Sequence, residues 1–386
     1  MNLLRMFPGC ASITAMLIAA AVHGAPIVPI GDDQIVETLP VGAAQRATER
    51  RMRRQSIERP ADARLAAAQS RSLLEQARQQ GDPRHAGQAL AALQAWPDAD
   101  SAPDPVLLMQ ASVQQYLHDF DGAIGKLQTL LRRSPSNAQA WLSLATLQRV
   151  QGRYAESDRA CTEVSRQGVA LHGAACSAEN AALRGHADIA RDTLRRLLAQ
   201  PRIDEGTRGW LLTTMAELEV RAGSAAAAQA DFSAAIAAAR DEYTRLAQVD
   251  FLLHNGRAAE ALARLEGWGR TDAVLLRLAV AGPKTGSAQA AVDAAEMRER
   301  IAAANQRPEA QRIHSREQTM FMLWVEADAA AALRLARINV AQQREPVDVL
   351  LLAQAARAAG DAAALREVAR LKQEIGLHDQ RIDALL

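Results

Sequence analysis

Apolar residues in this chain recur at the three- to four-residue spacing of helices and not with the alternation typical of strands. The pattern is clearest in residues 137–160, which contain, in order, Trp141, Leu144, Ala145, Gly152, Tyr154 and Ser157. One helix that ends near Gly152 and a second that begins near Tyr154 would pack their apolar faces together. The segment therefore predicts a helix–turn–helix unit.

The same arrangement recurs through the chain at steps of about 34 residues. The residues at its turn position are Gly81, His118, Gly152, Gly185, Gly223, Gly256, Gly286, Ala327 and Gly360. Glycine suits this position because a left-handed backbone ends a helix there without a penalty from Cβ. The period predicts a solenoid of about nine repeats over residues 61–386, and not two globular domains.

Composition supports an all-α chain, and the net charge gives no indication of a nucleic-acid partner. Hydrophobic residues make up 49% of the 386 residues but aromatic residues only 3%. Most of the apolar content is Ala and Leu, which favour helices, whereas Val, Ile, Phe and Tyr, which strands prefer, are sparse. Because the net charge is only +1, no global field indicates a nucleic-acid partner, and we predict none.

The unit at 137–160 matches the consensus of the tetratricopeptide repeat at Trp141, Leu144, Ala145, Gly152 and Tyr154, with Ser157 in place of its usual Ala. The chain resembles this family over about residues 61–386. The resemblance implies a right-handed superhelix, a concave surface lined by the first helix of each pair, and a protein or peptide as ligand. The match is degenerate around 271–310, where the sequence GPKTG intrudes. There we expect a short first helix and a bend.

The N-terminus has the form of a secretory signal peptide, residues 1–24. Arg5 supplies the positive start, residues 11–22 are apolar and uncharged, and cleavage after Gly24 is the most suitable. An uncleaved anchor is the alternative, although the apolar run is short for a membrane span. We predict export to the periplasm of a Gram-negative cell and no transmembrane segment in the mature chain.

Residues 25–60 form an extension rich in Pro and Arg. Its arginines, from Arg46 to Arg59, would either contact an anionic lipid or partner or belong to a solvated helix or arm.

Two cysteines follow the signal peptide, Cys161 and Cys176. We expect Cys161 midway along the second helix of one unit and Cys176 midway along the first helix of the next. Antiparallel helices would bring them opposite one another, and an oxidising compartment favours a disulfide. Such a bond would stabilise the fold by about 3 kcal/mol in the chain-entropy model. Two free buried thiols are the alternative.

No sequence motif indicates catalysis. The chain contains no P-loop, G-x-S-x-G, H-E-x-x-H or C-x-x-C motif, and its histidines are scattered over different repeats. We therefore predict no catalytic residues, no metal site and no cofactor, and a protein that is not an enzyme. An unrecognised active site is the alternative.

A candidate binding groove follows from counting back from the turn glycines at 185, 223 and 256. Residues thirteen and six positions earlier share one helix face. They are His172, Trp210 and Tyr243 at one level and Glu179, Glu217 and Asp250 at the other. These rows would hold a peptide that carries apolar anchors and a Lys or Arg. Alternatively, the acids solvate their helices and pair locally, and the aromatic rings cap contacts between units.

These observations predict a non-enzymatic module that binds a protein or peptide during assembly or maturation of an envelope component. The alternative is a structural scaffold that self-associates through its Ala-rich end faces. The charged last unit, residues 360–386, fits a solvent-facing cap.

Overall fold

A computed structural model describes residues 61–239, 241–307 and 310–386, together with isolated positions between 47 and 59. The predicted signal peptide (1–24) lies outside the described residues, as does most of the 25–60 extension. The described positions of that extension are exposed. In the part of the chain that the structure describes, every regular element is a helix.

Eighteen of the twenty described helices form nine consecutive pairs, each joined by a short turn. The first five pairs are α1 (Ala63–Gln80) with α2 (Pro83–Ala91), α3 (Asp104–Tyr116) with α4 (Phe120–Arg133), α5 (Ala138–Val150) with α6 (Tyr154–Arg166), α7 (Ala170–Leu183) with α8 (Ala187–Leu198), and α9 (Glu205–Arg221) with α10 (Ala225–Ala238).

The remaining pairs are α11 (Glu242–His254) with α12 (Ala258–Leu265), α13 (Asp272–Thr285) with α14 (Ala290–Ala304), α16 (Ser315–Trp324) with α17 (Ala329–Val340), and α18 (Pro346–Ala358) with α19 (Ala362–Ile375). Two short helices, α15 (Ala310–Ile313) and α20 (Gln380–Asp383), lie outside the pairs.

The pairs stack in chain order, each against the next, and the first helices of neighbouring pairs also contact one another. This arrangement confirms the predicted all-α solenoid of about nine repeats. Its core is built mainly from Ala and Leu buried between the two helices of a pair and between neighbouring pairs, as the composition predicts.

The turn position has the same backbone conformation with and without glycine. Gly152 has a φ of 74°, and His118 and Ala327, which replace glycine in their pairs, have φ values of 60° and 54°. A left-handed residue ends the first helix and redirects the chain into the second. The repeat therefore imposes this conformation even where a side chain makes it costly.

The expectation of a short first helix around 271–310 is wrong. Helix α13 begins after Thr271, whose side chain accepts a hydrogen bond from the Val274 N–H at 3.4 Å. It continues through Pro283 to Thr285, because a proline in the last turn removes a hydrogen bond without ending the helix. A Cβ on Gly282 would lie 2.8 Å from that of Ala290. The inserted Gly–Pro sequence thus lets α14 pack closely against the end of α13.

The last pairs contact the turns of the third to fifth pairs. The Arg344 N–H donates to the Val150 carbonyl at 2.6 Å, and the His378 N–H donates to the Leu183 carbonyl at 2.8 Å. Both carbonyls lie in the last turns of first helices, where carbonyls have no partner within the helix. The solenoid is therefore closed by backbone hydrogen bonds between pairs that are far apart in the chain.

Buried side chains continue this closure. Tyr154 and Leu183 belong to the same apolar cluster as Val340, Val349 and Ile375, which come from the last two pairs. Burial raises the pKa of Tyr154 well above its ordinary value. The closure therefore positions the start of α18 near the first helices of the middle pairs.

Candidate functional site

The six residues predicted for the groove lie on α7, α9 and α11, and four of them form two contacts between helices. The rings of His172 and Trp210 are stacked, with centroids 5.5 Å apart and planes at 16°. The Tyr243 hydroxyl instead donates to Glu217 Oε1 at 2.5 Å. The six predicted residues thus form one stripe across the three helices. Its aromatic residues form a stacked pair and a separate tyrosine.

Hydrogen bonds hold the register of α9 and α11. Asp204 and Asp241 cap the two helices by accepting the N–H groups of Thr207 and Thr244, both at 2.8 Å. Between the helices, the buried hydroxyls of Thr213 and Thr244 are 2.8 Å apart. Because these contacts fix how far each helix is displaced along its neighbour, they set which side chains of the stripe face each other.

Two of the three predicted carboxylates are ion-paired with arginines of a neighbouring first helix. Glu179 lies 3.0 Å from Arg149 of α5. Asp250 accepts two hydrogen bonds from Arg277 of α13, at 2.8 and 2.5 Å. The carboxylates therefore do not form a uniform acidic row. Neither arginine was predicted as a groove residue, although Arg149 lies only three residues before its turn glycine, Gly152.

Glu217, the central carboxylate of the row, has no arginine within ion-pair distance among the described residues. Burial raises its pKa, while Arg221 and the hydrogen bond from Tyr243 oppose this shift, and the charges of Glu179 and Glu345 add to it. Arg221 follows Glu217 by one helical turn, as the alternative of local pairing requires, and its charge acts on Glu217. Two nitrogens of its buried guanidinium nevertheless have no hydrogen-bond partner, so the two side chains are not joined by a hydrogen bond through them. Glu217 is thus a half-buried carboxylate without an ion pair, and Arg221 and the Tyr243 hydroxyl offset only part of the cost of its burial.

A cleft of ≈ 350 Å³ opens between the first helices α5, α7 and α9. It is lined by Leu142, Thr146, Arg149, His172, Cys176, Glu179, Gly206, Thr207 and Trp210. Three of these residues were predicted as groove residues, and the Arg149–Glu179 pair forms a charged part of the wall. A second cleft, ≈ 540 Å³, lies beside Trp141 and Leu144 and is lined otherwise by residues of α5 and α6.

A disulfide joins Cys161 of α6 to Cys176 of α7, with Cα atoms 5.6 Å apart and a sequence separation of 15. Both cysteines are buried, and Cys176 also lines the cleft between α5, α7 and α9. The Asn180 side-chain N–H₂ lies 3.6 Å from the Cys161 sulfur. The bond thus attaches the cleft wall to the second helix of the preceding pair, α6.

Among the residues that the structure describes, no group of three or more His, Cys, Asp or Glu side chains is arranged to hold a metal ion. None of the described helices has the length and apolar character needed to cross a membrane. No protein-family model matches the chain, and no curated protein matches it. Its function must therefore be inferred from the chemistry of the surface.

Proposed function

We propose that this protein is a non-enzymatic binding module of the periplasm that holds a protein or peptide during assembly or maturation of an envelope component. The observation that carries the proposal is the continuous stripe on α7, α9 and α11 beside a cleft of ≈ 350 Å³. Its stacked rings and paired charges suit recognition of a side chain. The resemblance of the repeats to the tetratricopeptide repeat supports the same class of ligand.

The cleft combines the features of a peptide anchor site. A pocket of this volume holds one or two side chains, since ligand pockets range from about 300 to 1,000 Å³. The stacked His172–Trp210 pair presents flat apolar surface, and Leu142 adds aliphatic surface. The Arg149–Glu179 pair supplies hydrogen-bond donors and acceptors at the edge. An apolar side chain would enter the cleft while its peptide backbone contacts the charged pair.

Binding of short synthetic peptides to the purified chain tests this proposal. Trp210→Ala should weaken the binding of peptides with an aromatic or branched aliphatic residue by about tenfold, because buried aromatic anchors dominate such interfaces. Ile189→Ala is the matched control, since Ile189 is an exposed apolar residue of the second helix α8. Equal affinities of the two variants would contradict a role for the cleft.

The proposed compartment has its own test. The mature chain recovered from the periplasmic fraction should begin near Ala25, as measured by mass spectrometry of its N-terminal peptide. A chain that keeps residues 1–24 or stays in the cytoplasm would contradict export. Light scattering on the purified mature chain distinguishes the binding module from the alternative, a self-associating scaffold. The binding module should stay monomeric at the concentrations where peptides bind.

A further inference from the structure

Glu217 differs from the two other carboxylates of the stripe in having no guanidinium partner. Glu179 and Asp250 are paired with Arg149 and Arg277, whereas the interaction of Glu217 that the structure describes is the hydrogen bond from Tyr243. Burial disfavours the charged form of a half-buried carboxylate that has no ion pair, and Arg221 offsets only part of this cost at Glu217. Such a group is a functional-site candidate when it borders an accessible surface.

Tyr243 makes this position accessible. Its side chain is 62% exposed although its hydroxyl is held by Glu217. Because the hydroxyl is fixed, one face of the ring is presented to solvent in a defined orientation.

The charges around the Tyr243 hydroxyl are acidic and come from three separate parts of the chain. Glu217 of α9, Glu345 before α18 and Glu179 of α7 all raise the pKa of Tyr243. Glu345 is present because the last pair closes onto the middle pairs. Of the nearby cations, Arg149 is paired with Glu179, Arg316 is paired with Glu345 and Asp348, and Arg221 acts on Glu217 from one turn along α9.

We infer that Tyr243 and Glu217 form a subsite for one Lys or Arg side chain of the bound peptide, an inference that rests on the proposed function. The cation would lie over the exposed ring, within about 6 Å of its centroid, and pair with the Glu217 carboxylate. Glu179 and Asp250 are not equivalent positions, because a ligand would first have to displace an arginine from each of them.

The position of the subsite also sets the spacing of the peptide residues. Neighbouring packed helices lie about 8–10 Å apart, a distance that about three residues of an extended peptide span. The cleft ends at Trp210 on α9, and the subsite lies between α9 and α11. The basic residue should therefore be about three positions from the apolar anchor.

A library of short synthetic peptides tests this inference. Each peptide carries an aromatic anchor and, about three positions away, Lys, norleucine or Glu. The wild-type chain should bind the Lys set about tenfold more tightly than the norleucine set, through combined cation–π and ion-pair contacts. Glu217→Gln should remove this preference while binding of norleucine peptides is retained. Asp250→Asn, which removes the same charge from the same stripe, should keep the preference.

The possible outcomes distinguish failure of the subsite from failure of the proposed function. Equal binding of Lys and norleucine peptides by the wild-type chain would overturn the subsite and leave the binding module intact, whereas no binding of any peptide would overturn both. If Glu217→Gln and Asp250→Asn lose the preference for Lys peptides equally, the preference comes from the general acidic charge of the surface and not from a subsite at Glu217. Tyr243→Leu provides a second variant, which should fold because this side chain is exposed and should also lose the preference.

Discussion

The turn glycines of this solenoid occupy two different environments. Gly152 and Gly185 lie under the last pair, where an added Cβ would be 2.9 Å from Ile375 and from His378 respectively. Gly256, at the same repeat position, has no atom within 4 Å of that Cβ. The φ values, 74°, 87° and 73°, are alike. The left-handed turn therefore favours glycine at all three positions, whereas close contact with the last pair adds a second reason for glycine only at Gly152 and Gly185.

The largest expected effect comes from removing Arg316, which anchors the last pair, α18–α19, where that pair covers Gly152 and Gly185. Arg316 donates to Asp348 at 2.7 and 2.8 Å and to Glu345 at 2.5 Å, and Asp348 is fully buried. Arg316→Met should lower the free energy of unfolding by about 3–5 kcal/mol, because it leaves a buried carboxylate unpaired. Urea denaturation measures the loss.

Arg298→Met is the control for this variant. Arg298 pairs with Glu326 at 2.6 Å, but its side chain is largely exposed, so its loss should cost less than about 1 kcal/mol. If Arg316→Met costs no more than Arg298→Met, the buried pair does not anchor the last pair.

Substituting one turn glycine that the last pair covers and one that it does not cover measures the cost of the close contact. Gly185→Ala and Gly256→Ala should each cost about 1 kcal/mol for the left-handed backbone. Gly185→Ala should cost about 1–2 kcal/mol more, because its Cβ crowds the His378 ring. The difference between the two unfolding free energies isolates the closure contact. Equal costs would mean that the last pair moves aside easily.

The smallest expected effect concerns the turn residue of the second pair. Burial lowers the pKa of His118, with Arg316 and His314 acting in the same direction and Glu317 and Glu345 opposing it. A histidine with a lowered folded-state pKa costs stability as the pH falls below its unfolded value of about 6.5. The urea midpoint should therefore decrease between about pH 7 and pH 5.

His118→Asn tests the assignment of this pH dependence, because Asn tolerates a positive φ without titrating. The variant should lose less stability than the wild-type chain over the same pH range. An unchanged pH dependence would assign the effect to other groups.

Most of the repeat architecture was predictable because it depends on contacts within and between neighbouring units. The turn at Gly152, the nine pairs and the opposition of Cys161 and Cys176 all follow from spacings of a few tens of residues. The length of α13 was predicted wrongly, because the Gly–Pro sequence was interpreted as a helix break. The last turn of α13 tolerates this sequence and packs against Ala290.

The candidate surface was predictable only in part. The counted stripe identified Glu179, Glu217 and Asp250 as residues of one face, since helical periodicity alone decides that relation. Which of them is paired depends on the rotation and displacement of adjacent helices. Arg277, for example, reaches Asp250 from the next pair, a contact that no count from the turn reveals.

The sequence by itself determined the helices, their pairing and the positions where a left-handed residue ends each first helix, because these depend on local periodicity and backbone sterics. Tertiary structure alone decided that the last pair covers Gly152 and Gly185 and brings Glu345 toward Tyr243. That outcome depends on small rotations accumulated over several repeats, which bring together residues roughly 100 to 220 positions apart in the chain. The environment of Glu217 therefore comes mainly from its own helix and from Tyr243 of the next pair, and the closure adds the charge of Glu345.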